Sequence, residues 1–535
     1  MFKKPFLMLT FLTLALGILA TGQAAVNPDL AALSQGSVVQ FSGTEGISEP
    51  FAFEIDLTVP HPALNFDNIV GQPFQIAVAR GRSVAGMVER VEQMGVSGRQ
   101  GQYRVRLVPV FNRLAYRVTS RTFEDMTPVQ IINTLLNEAG ISDFEMRLNA
   151  SFPPQELTLQ YQESELAFVS RLLEDEGIHY HFEPTASGEK VILGDANTAF
   201  PILPPGKLLF SAKASPSITV FSRGQGLHSG RTQAGDFNWR IPHINLTASV
   251  QSPQFSDLRE DIFPAPVASP QESQRVARLR LDAHVTEGEA CRGESTYPQL
   301  QAGFRFLLVG HPRQDFNQEY VITGVEHEGT PKSYRNTFTC LPTNVIFRPT
   351  PTTPHPVVSG VLPGLVVGPE GEVKHVDEFG RVRVRFPWRN PAFTNKTEGD
   401  AGWVRVAQIA TGVGNTAMWI PDMGDEVVLA FEHGDPNRPV VIGSLWNGKD
   451  LPPSSLPANK FQSLFQSQSL SGTINEVLID TTPNQERLIL RSGNQFIQLS
   501  PNGITASSTM TTPSATRQRL QPPTGLKSPS LVPRR

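Results

Sequence analysis

The sequence predicts an α+β fold, mostly β, on three observations. Charged residues make up 18% of the chain, below the roughly 25% usual for soluble domains, while 45 Pro and 43 Gly exceed their averages of about 5% and 7%; this favours many turns between short strands. Apolar and polar residues alternate over many stretches of four to eight residues, the period of half-buried strands. Only a few segments show the 3.6-residue period with caps at both ends. At about 150 residues per domain, 535 residues imply three or four domains. Lys plus Arg number 46 against 50 Asp plus Glu, a net charge of −4, so no global basic field favours nucleic acid.

Residues 1–25 place Lys3 and Lys4 before an apolar run from Phe6 to Leu19 and then small residues, the layout of a secretory signal peptide. A start site set too far upstream is the competing reading. From Ser37 to Val110 short strands are expected, with Phe51, Phe53, Ile55 and Leu57 alternating with Ala52, Glu54 and Asp56. A helix follows: Thr127 is the N-cap, Pro128 the first helical residue, Ile131, Ile132, Leu135 and Leu136 one face, and Gly140 the stop. Ser164 caps a second helix with Leu166, Val169, Leu172 and Leu173 as its stripe and Gly177 as its end, before a strand at 178–183. A third helix is expected at 271–283, then strands at 304–309 and 320–325.

Pro349, Pro351, Pro354 and Pro356 make 347–358 an extended spacer and a domain boundary. Residues 359–448 hold five strand candidates, including 380–386, 403–409 and 426–431, enough for a small five-stranded barrel. Three more strands, 476–480, 487–491 and 495–499, are joined by turns at Pro483-Asn484 and Ser492-Gly493-Asn494. Three such strands cannot enclose a core alone, so their apolar sides call for neighbours and hence for an oligomer. The residues from 505 to 535 are rich in Ser, Thr and Pro and are expected to be a disordered tail.

Tests for chemistry are negative. Gly443-Ser-Leu-Trp-Asn-Gly448-Lys449-Asp450 approaches a phosphate loop, but Asp450 replaces the hydroxyl that would hold magnesium and Leu451-Pro452-Pro453 follows where a helix is needed. Gly412-Val-Gly414-Asn-Thr-Ala417 mimics a dinucleotide fingerprint without a βαβ unit and reads as a turn. His179 and His181 share a strand face without a third ligand nearby and read as core histidines; His433 and Asp435 read as turn residues. The sequence contains no GxSxG or HExxH motif. No cofactor, metal site or catalytic residue is therefore nominated. Arg381, Arg383 and Arg385 share one face of a strand, expected to be solvated or to lie between subunits. Cys291 and Cys340 permit one bridge at most, and a disulfide and a thiol pair both stay open.

Several of these segments together resemble the VgrG spike family of type VI secretion, itself similar to the fused hub and needle of contractile phage tails. In the first half the resemblance rests on Phe41-Ser-Gly-Thr-Glu-Gly-Ile-Ser-Glu-Pro-Phe51-Ala-Phe, on Thr122-Phe-Glu-Asp-Met-Thr-Pro-Val-Gln-Ile-Ile-Asn133, and on the helix opening at Ser164. In the barrel it rests on Val376-Asp-Glu-Phe-Gly-Arg-Val-Arg-Val-Arg-Phe386 and Ile420-Pro-Asp-Met-Gly-Asp-Glu-Val-Val-Leu-Ala-Phe431, followed by Gly434-Asp-Pro-Asn-Arg-Pro439 and Ile442-Gly-Ser-Leu-Trp-Asn447.

The resemblance implies a hub of β-barrel domains with inserted helices over 26–346, a five-stranded OB-type barrel, and from 449 to 504 the start of an intertwined trimeric β-helix. It also implies a homotrimer seated on a hexameric Hcp-type tube, a PAAR-type tip protein, effector cargo, baseplate contacts, transient contact with a target membrane and no nucleic acid. Ile479, Leu488, Leu490 and Leu499 are then the candidate inward positions of the trimer. Only about ten residues, 449–458, stand where the phage needle carries a lysozyme domain, so muralytic activity is not implied, and the strands are expected to stop near Gly503 without a fused effector. The leading expectation is a non-enzymatic spike, assembled in the cytoplasm and secreted through the apparatus. A spike-derived binding protein exported by the general secretory route and a hydrolase with a dispersed site are the alternatives.

Overall fold

The computed structural model describes residues 27–79, 81–186, 188–388 and 400–507. The chain divides into two units between Ser444 and Leu445. The signal-like segment and the tail beyond Ser507 lie outside the described residues.

The first unit is built on an eleven-stranded sheet. Its main path runs Ile218–Gln225, Glu289–Ser295, Ser333–Pro342, Glu319–Thr330, Ser37–Gly46, Glu49–Val59, Gln100–Val108, Arg82–Ser97 and Pro73–Ala79; Arg305–Val309 branches from Glu319–Thr330 and carries Ile202–Leu209. The expected alternation appears in Glu49–Val59, where Phe53, Ile55 and Leu57 are buried and Glu54 is exposed. Phe41 pairs with Gly329, so the beginning and end of the hub are stitched in one sheet.

Four helices accompany this sheet among the described residues. Helix α1, Pro28–Ser34, is capped by Asn27 and has no counterpart in the sequence expectations, being only two turns long. Helix α2, Pro128–Glu138, starts at the Thr127 capping box and buries Ile131, Ile132, Leu135 and Leu136. Helix α3, Glu165–Glu176, is capped by the Ser164 side chain and ends at Gly177, whose φ of 69° is the left-handed conformation that favours glycine. Helix α4 spans Pro270–Gly288, past the expected end at 283, because no glycine or proline interrupts it before Gly288.

A closed barrel of Leu362–Val367, Val382–Arg385, Ala401–Val406, Pro439–Leu445 and Glu426–Phe431 follows. Val366, Val382, Val384, Phe386, Val404, Val427, Leu429 and Val441 fill it, and hub residue Leu159 joins this cluster. The result is an α+β, mostly β architecture with a small OB-type barrel.

In the second unit, Gln462–Gln468, Ile474–Asp480, Arg487–Ser492, Gln495–Ser500 and Gly503–Ser507 form a five-stranded antiparallel meander. Two strands therefore exceed the expected three. Gln462–Gln468 escaped the pattern because its only large apolar residues are Leu464 and Phe465, and Gly503–Ser507 because Ile504 is its only large apolar residue. The last strand also takes the first three residues of the expected disordered tail into the sheet.

Candidate functional site

Two assemblies of side chains stand out, one in each unit. The first seats the barrel on the hub. Arg381, Arg383 and Arg385 leave the barrel wall opposite the buried Val382 and Val384, as their alternation requires. The expectation of a solvated or intersubunit arginine face is corrected here: Arg381 and Arg385 are buried, and Arg383 is partly so. For Arg381 and Arg383 the covering is this chain's own hub. Arg381 Nη1 donates to Glu156 Oε1 at 2.7 Å and its Nε to Asp377 Oδ2 at 2.7 Å, while Arg383 Nη2 donates to Glu124 Oε2 at 2.5 Å. Arg240 reaches the same Glu156 at 2.7 Å. Burial pushes the Glu156 carboxyl up, but the Arg240 and Arg381 hydrogen bonds outweigh it and hold the group below its ordinary value.

The indole of Trp239 lies among three guanidinium groups, those of Arg240, Arg405 and Arg381 at 4.5, 5.2 and 5.4 Å. The turn that reads from sequence as mere punctuation adds to this seat. Asn437 Oδ1 accepts from Leu159 N at 2.7 Å, and Arg438 pairs with Asp236. Asn437 and Arg438 are interdomain contacts that sequence reasoning missed; no local signal distinguishes a turn asparagine that reaches another domain from one that closes its own loop.

The second assembly is the C-terminal sheet. Residues directly opposite in a ladder share a face. Ile479 lies opposite Leu488, Leu488 opposite Leu499, and Val477 opposite Leu490, which in turn lies opposite Ile497. Phe465 faces Val477 and Ile504 faces Leu499, extending the same face across all five strands. The structure thus brings the four sequence candidates Ile479, Leu488, Leu490 and Leu499 onto one apolar face. That face is open: Ile479, Leu490, Ile497 and Leu499 are 40–47% exposed, and Phe465 and Ile504 are 63% and 76% exposed.

The opposite face is different in kind. Leu478 and Ile489 are buried there, and Asp480 beside them accepts from the Thr482 hydroxyl at 2.7 Å, the Thr482 amide at 3.1 Å, Gln462 at 3.2 Å and Arg487 at 3.1 Å. The Thr482 hydroxyl is the main cause that holds its carboxyl down at about 2.

The remaining candidates are structural elements in the fold. His179 is buried and stacked on Phe200 at 4.2 Å, and burial lowers its imidazole to about 3. His181 is buried beside it, with Glu183 Oε1 3.4 Å from its Nε2. Among the described residues no group of three or more His, Cys, Asp or Glu is placed to hold a metal ion. The glycine-rich stretch at 412–417 is a hairpin of Ala410–Gly412 against Asn415–Ala417, and the phosphate-loop mimic begins on the barrel strand Pro439–Leu445. No helix among the described residues is long and apolar enough to cross a membrane.

Comparison with known proteins agrees with this architecture. The family described as the phage tail baseplate hub (GPD) matches residues 44–333, and the type VI secretion system/phage-baseplate injector OB domain matches 363–446. The type VI secretion system spike proteins VgrG4b and VgrG1b of Pseudomonas aeruginosa are 32% and 30% identical over 85% and 86% of this chain. The chain spans 60% and 66% of their lengths. The actin cross-linking toxin VgrG1 of Vibrio cholerae is 28% identical, and the match covers 43% of it. An Escherichia coli type VI secretion component, described as similar to the T4 bacteriophage tail proteins gp27 and gp5, shares the fold at a TM-score of 0.59 and 22% identity, over 77% of this chain and 97% of that one. A chain of a Francisella PdpA–VgrG complex does so at 0.58 and 8% identity, over 88% and 84%. With the hub family matching more than half of this chain, the injector OB domain behind it and spike proteins as relatives, this chain belongs to the VgrG family of phage-tail-like type VI secretion spike proteins.

Proposed function

We propose that three copies of this chain join through the apolar face of the C-terminal sheet to form the spike of a contractile injection apparatus. The observation that carries this reading is that face itself. A sheet that leaves an apolar face open needs a cover for it, and a closed cyclic assembly supplies one to every copy at once. The number three follows from the spike family, and a face-to-face pair is the competing arrangement.

In this reading the hub caps an Hcp-type tube, and the sheets of three chains begin the needle that meets a PAAR-type tip protein and the target membrane. Effector cargo and baseplate proteins are its other partners. The role is mechanical rather than enzymatic, and the spike leaves the cell through the apparatus after cytoplasmic assembly. The arginine seat supports it, since a spike that transmits force needs its barrel fixed to its hub.

Native mass by light scattering tests the reading. A trimer is expected, and substituting Ile479→Glu together with Leu490→Glu is expected to leave monomers whose hub and barrel still fold by circular dichroism. A dimeric or monomeric parent chain at micromolar concentration, or a double variant that stays trimeric, would overturn it.

A further inference from the structure

The sheet of the hub holds a pair of groups that the spike reading does not use. Cys291 in Glu289–Ser295 lies directly opposite Cys340 in Ser333–Pro342. Both side chains point into the same apolar cluster, with Phe221, Tyr320 and Phe338 as members, and they are 2% and 1% exposed. On the other side of Cys291, Arg223 lies directly opposite in Ile218–Gln225, its guanidinium 3.4 Å from Glu289.

Residues opposite each other on antiparallel strands have Cα atoms about 4.5 or 5.5 Å apart, both within the roughly 4.4–6.8 Å that a disulfide spans. The strands already hold the backbone where a bridge needs it. We propose that Cys291 and Cys340 are a covalent modification site, closing to an intrachain disulfide between neighbouring strands by exchange with a disulfide oxidant such as glutathione disulfide.

The step balances without a further reactant. One cysteine, as its thiolate, attacks one sulfur of glutathione disulfide and expels a glutathione thiolate, leaving a mixed disulfide. The other cysteine then gives up its proton and attacks the first cysteine's sulfur, expelling the second glutathione. Two protein thiols are oxidised, one glutathione disulfide is reduced, and the two protons end on two glutathione thiols. Because both sulfurs are covered in the folded sheet, exchange belongs to folding, before these strands close.

The test is refolding of the full chain from denaturant in a buffer of reduced and oxidised glutathione, quenched with iodoacetamide and digested without reduction. Mass spectrometry is expected to find the Cys291 and Cys340 peptides joined within one chain. Recovery of both cysteines as alkylated peptides from chains that have regained the native spectrum would overturn the proposal, as would joining between chains.

Discussion

Arg381 ties the barrel to the hub, because its guanidinium holds Asp377 on its own domain and Glu156 on the hub at once. Removing Arg381 leaves Asp377 without that charge partner and Glu156 with Arg240. Arg381→Ala is expected to destabilise the first unit by on the order of 1–3 kcal/mol, the half-exposed Glu156 keeping the cost below that of a fully buried pair. Hydrogen exchange should report it as faster exchange in Val382–Arg385 with the strand Glu49–Val59 unchanged.

Asp480 gives a second prediction at this scale. Its carboxyl is held at about 2 in the folded chain, against about 3.9 for a free aspartate. A group depressed on folding contributes stability in full above its unfolded value, and that contribution falls away as pH drops through the folded value. The C-terminal sheet should therefore lose stability between about pH 4 and pH 2, and Asp480→Asn should flatten that part of the profile in acid titrations followed by circular dichroism.

Among the elements, α2 shows what sequence makes readable. Thr127, Pro128 and Gly140 act within a few residues of where they stand, and the Thr127 and Gln130 capping box forms as the local pattern dictates. Thr127→Ala is expected to cost about 1 kcal/mol in denaturant unfolding, the usual loss of a side-chain cap. The strands divide differently. Alternation was enough to put Ile479, Leu488, Leu490 and Leu499 on one face, and enough to align Arg381, Arg383 and Arg385. It does not say what lies against a face, and so the arginines read as solvated until Glu124 and Glu156, more than two hundred residues earlier, are seen opposite them. The edge strands Gln462–Gln468 and Gly503–Ser507 were illegible for a related reason: pairing with a neighbour, not composition, makes them strands. The order of the eleven-stranded sheet was out of reach, since it is fixed by contacts distant in sequence.

For the molecule as a whole, an association that covers an apolar face ties stability to concentration by mass action. The thermal midpoint of the C-terminal sheet is expected to rise by several degrees over a hundredfold increase in protein concentration, and the Ile479→Glu, Leu490→Glu chain should lose that dependence in scanning calorimetry. The meander that presents the face has another consequence, for the order in which the protein comes into being. Each of its strands pairs only with the next in sequence, whereas the hub joins Phe41 to Gly329, roughly 290 residues away. During synthesis the hub waits for Gly329 to emerge before its sheet can close, while the hairpins that follow form within moments of their own translation. The open apolar face is thus made after the hub, and it appears when the hub already has all of its strands.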